Sequence, residues 1–95
     1  MKFEWDPQKA TDNLKKHGVS FDEASTVFGD PLAATVSDPE HSTEEVRLVT
    51  MGQTAKHQLV VVVHAARGED IRIISARRAT AGEKKKYGEG KGKGR

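Results

Sequence analysis

Cysteine is absent from this 95-residue chain, and aromatic side chains make up only 5% of it. Without cysteine there is neither a disulfide framework nor a thiolate metal site, and no compartment follows from that alone. So few aromatics make Trp5 and the phenylalanines core residues in expectation rather than base-stacking platforms. Long apolar runs are missing too. The longest strictly apolar one is Leu59 to Val63, far too short to span a bilayer. The opening Met-Lys-Phe-Glu-Trp-Asp-Pro lacks the apolar stretch of a signal peptide, so the expected location is the cytoplasm, with no membrane partner.

Charge, by contrast, is plentiful and unevenly placed. The net charge of +2 conceals an acidic body, with seven bases against twelve acids over residues 1–70, and a basic end, with nine bases against two acids from Ile71 to Arg95. That distribution is the footprint of a protein that touches phosphates. With 35% apolar and 32% charged residues the body is one globular domain, expected over 1–88, followed by a flexible basic Gly/Lys tail over 89–95.

Local patterns set the elements. Phe3-Glu4-Trp5 alternates as a short edge strand, and Asp6-Pro7 starts a helix that ends at Lys16 or His17 before Gly18. Ala10, Leu14 and His17 form its thin apolar stripe. Ser20-Phe21-Asp22-Glu23 is a capping box opening a second helix, with Phe21, Ala24, Val27 and Phe28 on its buried side and Gly29-Asp30-Pro31 at its end. Four strand-like runs follow, Leu32 to Ser37, Glu45 to Met51, Gln58 to Ala66 and Ile71 to Arg78. Their short polar connections favour antiparallel hairpins. The run through Leu59–Val63 is apolar on both faces and belongs at the sheet centre, with the arginine-bearing strand beside it. A second capping box, Thr80-Ala81-Gly82-Glu83, starts a short helix through Tyr87. The order β-α-α-β-β-β-β-α is that of an α+β fold, an antiparallel sheet with helices packed on one side.

These stretches together resemble the BrnT family, the toxin half of BrnT/BrnA type II toxin–antitoxin systems, whose fold is similar to the RelE-like ribonucleases. The resemblance rests on Phe3-Glu4-Trp5-Asp6-Pro7, Asn13-x-x-Lys16-His17-Gly18-Val19-Ser20-Phe21, Glu23-Ala24, Val27-Phe28, Asp30-Pro31, Asp38 with His41-Ser42, Arg47, and Ile71 through Arg77 followed by Ala79-Thr80, Glu83 and Tyr87. Two features depart from the family pattern: Val46 rather than an acid precedes Arg47, and the Gly/Lys-rich end after Tyr87 has no counterpart. The resemblance implies an endoribonuclease that needs no metal or other cofactor, inhibits translation, and is held inactive by a BrnA-like ribbon-helix-helix antitoxin. RNA is then the substrate, as mRNA free or on the ribosome, and operator DNA is touched only through the antitoxin. The alternative is a non-catalytic RNA- or partner-binding module, an inactivated toxin.

Cleaving RNA without a metal requires activation of a 2′-hydroxyl, stabilisation of charge on the phosphate, and a proton for the leaving oxygen. Arginine suits the phosphate, because its planar fork pairs with two oxygens and keeps its charge. Arg77, Arg72 and Arg47 stand at matched positions and are the candidates. Arg77 has a salt bridge to Glu83 as its structural alternative, Arg72 an ion pair, and Arg47 a pair with Glu44 or Glu45. In a regular strand Arg72 and Arg78 share one side and Arg77 lies on the other, unless a bulge intervenes. Arg78 is unmatched and expected to be a solvated charge. Lys16 and His17 close the first helix, where cations complement its dipole. His17 is the foremost general acid or base if exposed, with Lys16 as electrostatic helper, but it is a core residue if the stripe faces inward. His64 is an outside candidate, depending on register, and His57 is a turn residue. The Asp38, Glu40 and His41 grouping hints at a metal, yet nothing at ligand spacing completes a site, and no metal is expected. Tyr87 either contacts RNA or packs the last helix down. Lys84, Lys85 and Lys86 add salt-sensitive attraction to RNA.

Overall fold

A computed structural model describes residues 2–38 and 45–92. The elements are β1 (Phe3–Glu4), α1 (Pro7–His17), α2 (Phe21–Ser25) continued by a 3-10 turn (Thr26–Gly29), β2 (Ala34–Ser37), β3 (Arg47–Gln53), β4 (Leu59–Arg67), β5 (Asp70–Arg78) and α3 (Ala81–Gly92). Their order is the expected one. α1 starts where the Asp6 carboxylate accepts from the backbone N–H groups of Gln8 and Lys9, and it stops where Gly18 adopts φ 71°, a left-handed conformation that a side chain would strain. At α2 only half of the capping box forms. The Ser20 hydroxyl accepts from Glu23 N at 3.0 Å, but the Glu23 carboxylate turns away and accepts from Thr54 Oγ1 at 2.9 Å, tying α2 to the β3–β4 turn. At α3 the box is complete: Glu83 N donates to Thr80 Oγ1 at 3.2 Å and Thr80 N donates to Glu83 Oε1 at 2.8 Å. Once so nucleated, the helix runs past its expected end at Tyr87 to Gly92. The loop residues Glu40, His41, Ser42 and Glu44, and tail residues 93–95, lie outside the described residues.

The strands form one five-stranded sheet in the order β1-β5-β4-β3-β2. The four longer strands are antiparallel neighbours, as their short connections require, with the apolar β4 at the centre. β1 adds a two-residue parallel pair to β5, Phe3 opposite Ile71 and Glu4 opposite Arg72. Val19, Phe21, Ala24 and Val27 pack against Val60, Val62, Ile73 and Ala76 to make the core on one side of the sheet. Trp5 stands edge-on to Phe21 at 5.9 Å, so the sparse aromatics fill the core as expected. Gly52 completes this side: a Cβ there would lie 2.9 Å from Ala33 Cβ, so only glycine lets β3 meet the segment after the 3-10 turn.

The β4–β5 register shifts once. Val63 faces Ser75 while His64 faces Ile73, which leaves Ile74 as an extra residue in β5. Such a bulge inverts the alternation of sides along the strand. Ile73 and Ala76, three apart rather than two or four, both belong to the core. Residues opposite one another across a ladder share a face. Arg72, opposite Ala65, and Arg77, opposite Val61, therefore both lie on the side away from α1 and α2, whereas Arg78, opposite Val60, lies on the helix side.

Candidate functional site

The bulge settles how the arginines are distributed. A regular strand would have put Arg72 with Arg78 and left Arg77 alone; the observed register puts Arg72 and Arg77 together, with Ser75 between them on the same outer face. Arg47 joins them, because it and Arg72 lie opposite Ala65 from its two sides. Two strand spacings set the Arg47 and Arg72 backbones about 10 Å apart, and the four residues of β4 from Ala65 to Val61 set Arg77 about 13 Å further along. The surface between them is aliphatic, from Val49, Val61 and Val63.

Arg77 and Arg72 each meet a carboxylate. Arg77 Nη1 and Nη2 donate to Glu83 Oε1 and Oε2 at 2.8 and 3.0 Å, the bidentate geometry that guanidinium also offers to phosphate. The structural alternative for Arg77 is thus realised, on a side chain that remains 43% exposed. Glu83 serves twice, since the same carboxylate caps α3. Its hydrogen bonds to Arg77, and next to the Thr80 backbone, pull its pKa down to about 2, and the pairing pushes that of Arg77 up. Arg72 is held more loosely, 3.7 Å from Glu45. Glu45 pairs with Arg72; Arg47 is half-buried on the face, and Glu44, the other partner expected for it, lies outside the described residues.

α1 lies along the edge of β5 beyond the end of β1, and its inward residue is not the one its apolar stripe suggests. Asn13 is buried, donating from Nδ2 to Val19 O at 2.9 Å and Ala76 O at 2.8 Å and accepting at Oδ1 from Ala76 N at 3.1 Å. It mimics a paired strand residue. Leu14 is left 51% exposed, and His17 is half-buried at the rim of a depression of about 210 Å³ that it shares with Lys9, Asp12, Asn13, Lys16, Ile74 and Ser75. His17 is thus half-buried, as its core alternative expects, but lies outside the core cluster. Lys16 and His17 share this depression with Ser75, the residue between the two strand arginines.

His64 is separated from this face. It lies opposite Ile73 on the helix side, buried, with Nε2 2.7 Å from Thr50 Oγ1 and its ring edge-on to Phe28 at 4.9 Å; burial lowers its pKa. Tyr87 packs α3 down: its hydroxyl donates to Asp30 Oδ2 at 2.6 Å, and burial together with that bond raises its pKa to about 12. Lys84, Lys85 and Lys86 are exposed on the same helix. Asn13 and Asp30 organise the fold, and in the sequence they are only two of the many residues in the stretches that resemble the family. Asp30 accepts from Leu32 N and Gln53 N as well as from Tyr87, and the only trace of this in the sequence is the Asp-Pro after a glycine.

Comparison with known proteins bears on this face. The family model described as the ribonuclease toxin BrnT of type II toxin–antitoxin systems matches residues 5–83. The crystal structure of the Brucella abortus ribonuclease toxin BrnT is similar, with a TM-score of 0.67 and 25% identity over 84% of this chain and 97% of that one. No curated protein matches the chain in sequence. No helix among the described residues is long and apolar enough to cross a membrane.

Proposed function

The chain belongs to the BrnT family of ribonuclease toxins of type II toxin–antitoxin systems, and we propose that its outer sheet face cleaves RNA without a metal and thereby blocks translation in the cytoplasm. The observation that carries this reading is the Ile74 bulge, which gathers Arg72 and Arg77 with Arg47 on one side. In the proposed reaction a 2′-hydroxyl loses its proton and its oxygen bonds to the adjacent phosphorus. The bond to the 5′-oxygen then breaks, and that oxygen takes up a proton. Arg72 and Arg77 hold the phosphate as its charge grows, with Arg47 on the neighbouring strand. His17 moves the protons at the α1 edge, and Lys16 stabilises negative charge beside it. Glu83 already displays to Arg77 the two-oxygen contact a phosphate would make, so RNA replaces one bidentate partner with another.

The antitoxin partner is proposed to be a BrnA-like ribbon-helix-helix protein that covers this face with acidic side chains and alone contacts operator DNA. Tyr87 and Lys84 to Lys86 are proposed to contact RNA outside the reacting phosphate.

Purified protein should cleave RNA in EDTA, leaving 2′,3′-cyclic phosphate and 5′-hydroxyl ends, and should spare a strand with 2′-deoxy sugars throughout. Tightly controlled expression without the antitoxin should arrest growth. Intact RNA in the presence of folded protein would overturn the reading and leave a binding module without catalysis.

A further inference from the structure

A second cavity lies at the end of the sheet, where the ends of β3, β4 and β5 meet α3. Its volume is about 420 Å³, and it is lined by Gln53, His57, Gln58, Leu59, Arg78, Lys84 and Tyr87. Two cations line it and, among the described residues, no carboxylate does, which favours an anion. Gln53, His57, Gln58 and Tyr87 supply the other polar groups, and Gln58 Oε1, covered in the free protein, accepts no hydrogen bond from the described residues; a turn of its side chain toward the cavity would give it a donor such as a base amine. The Tyr87 ring is held by its hydroxyl's bond to Asp30, so it forms a fixed aromatic wall. His57 stands at the mouth in the left-handed conformation, φ 64°, that closes the β3–β4 turn.

We propose that this cavity holds a nucleotide of the RNA flanking the cleaved bond, its phosphate on Arg78 and Lys84 and its base between Tyr87 and Gln58. The proposal rests on the ribonuclease reading for the identity of the strand. Consecutive residues connect the two sites: Arg77 faces the outer side and Arg78 the helix side, with backbones about 3.8 Å apart. A strand seated on Arg77 need only round the end of β5 to reach the cavity. Arg78, taken alone in the sequence as a solvated charge, thereby acquires a role.

The test uses single-stranded RNA with 2′-O-methyl sugars, which cannot be cleaved, in lengths from two to about ten nucleotides. For the longer strands Arg78→Ala should weaken binding about tenfold and lower the magnitude of the salt slope by roughly 0.7, the loss of one single-strand phosphate contact. The effect should appear only above the length that spans both sites. Gln58→Leu should weaken binding of strands that carry a base at the flanking position and not of strands abasic there. Equal losses at all lengths, no loss at any length, or loss of antitoxin affinity in place of RNA affinity would each overturn the proposal. A wild-type protein that binds these strands but never cleaves unmodified RNA would sink the catalytic reading alone, and the cavity would still be judged by the Arg78→Ala slope.

Discussion

Within the core on the helix side of the sheet Asn13, Thr50 and His64 are buried and closed into fixed hydrogen bonds, whereas on the outer side Arg72 and Arg77 meet carboxylates that a phosphate can displace. His64, Thr50 and Thr35 form one chain with 2.7 Å between successive partners, and Asn13 makes its three bonds within the packed α1–β5 contact. Nothing can enter there without unfolding the contact. The outer pairs, Arg77 with Glu83 and Arg72 with Glu45, sit on half-exposed side chains, where an ion pair contributes little stability. Polar side chains of the first kind hold the fold together. Those of the second kind keep a charge presented and ready for exchange.

The sharpest way to separate the two is Arg77→Ala. Cleavage should fall by about 100- to 1000-fold, as for loss of one group stabilising transition-state charge, while stability should change by no more than ~1 kcal/mol. In the same variant the Glu83 carboxyl, followed by NMR, should titrate well above its value of about 2, toward the ordinary 4.5. A collapse in stability equal to the loss of cleavage would place Arg77 with the structural group.

Asn13→Ala should behave in the opposite sense. It strands the Ala76 N–H and two carbonyls, and it should lower stability by about 3 kcal/mol, read as a fall in Tm of more than about 10 °C for a domain of this size. A Tm within a few degrees of wild type would mean that water replaces the amide and that the α1 edge is less closed than it looks.

Much of this division is legible in the sequence, and what is not has a physical cause. Periodicity and capping residues specify the helices and the central β4, since they depend on near neighbours. The side on which Arg77 lies depends instead on a single extra residue, Ile74, and β-branched runs such as Ile71 to Ile74 carry no mark of where a ladder slips. The stripe Ala10, Leu14 and His17 is followed only in part, with Ala10 packed on the core and Leu14 exposed, because α1 also meets a strand edge, which asks for an amide, Asn13, rather than for an apolar row. The arginines themselves stand out from charge and family pattern; their shared face and carboxylate partners emerge only in three dimensions.

Two smaller effects sharpen the contrast through pH. Tyr87→Phe should lower stability by about 1 kcal/mol. The wild-type phenol, whose pKa is raised from 10.0 to about 12, keeps its proton more tightly when folded. Its contribution is therefore full below pH 10 and lost as the pH climbs through about 12, and this slope should vanish in Tyr87→Phe. His64 has the opposite sign. Its pKa is lowered from 6.5 by burial, so the unfolded chain takes the proton first; its contribution is full above 6.5 and declines below it. Urea midpoints on either side of 6.5 should show this decline in the wild type and not in His64→Gln.

The most direct measurement is a double-mutant cycle on single-turnover cleavage of one RNA in EDTA, using wild type, Arg72→Ala, Arg77→Ala and the double variant. If the Ile74 bulge places both arginines on one substrate, the double variant should lose far less than the product of the two single losses. Independent losses that multiply, with all four proteins folded, would contradict a shared face acting as one site.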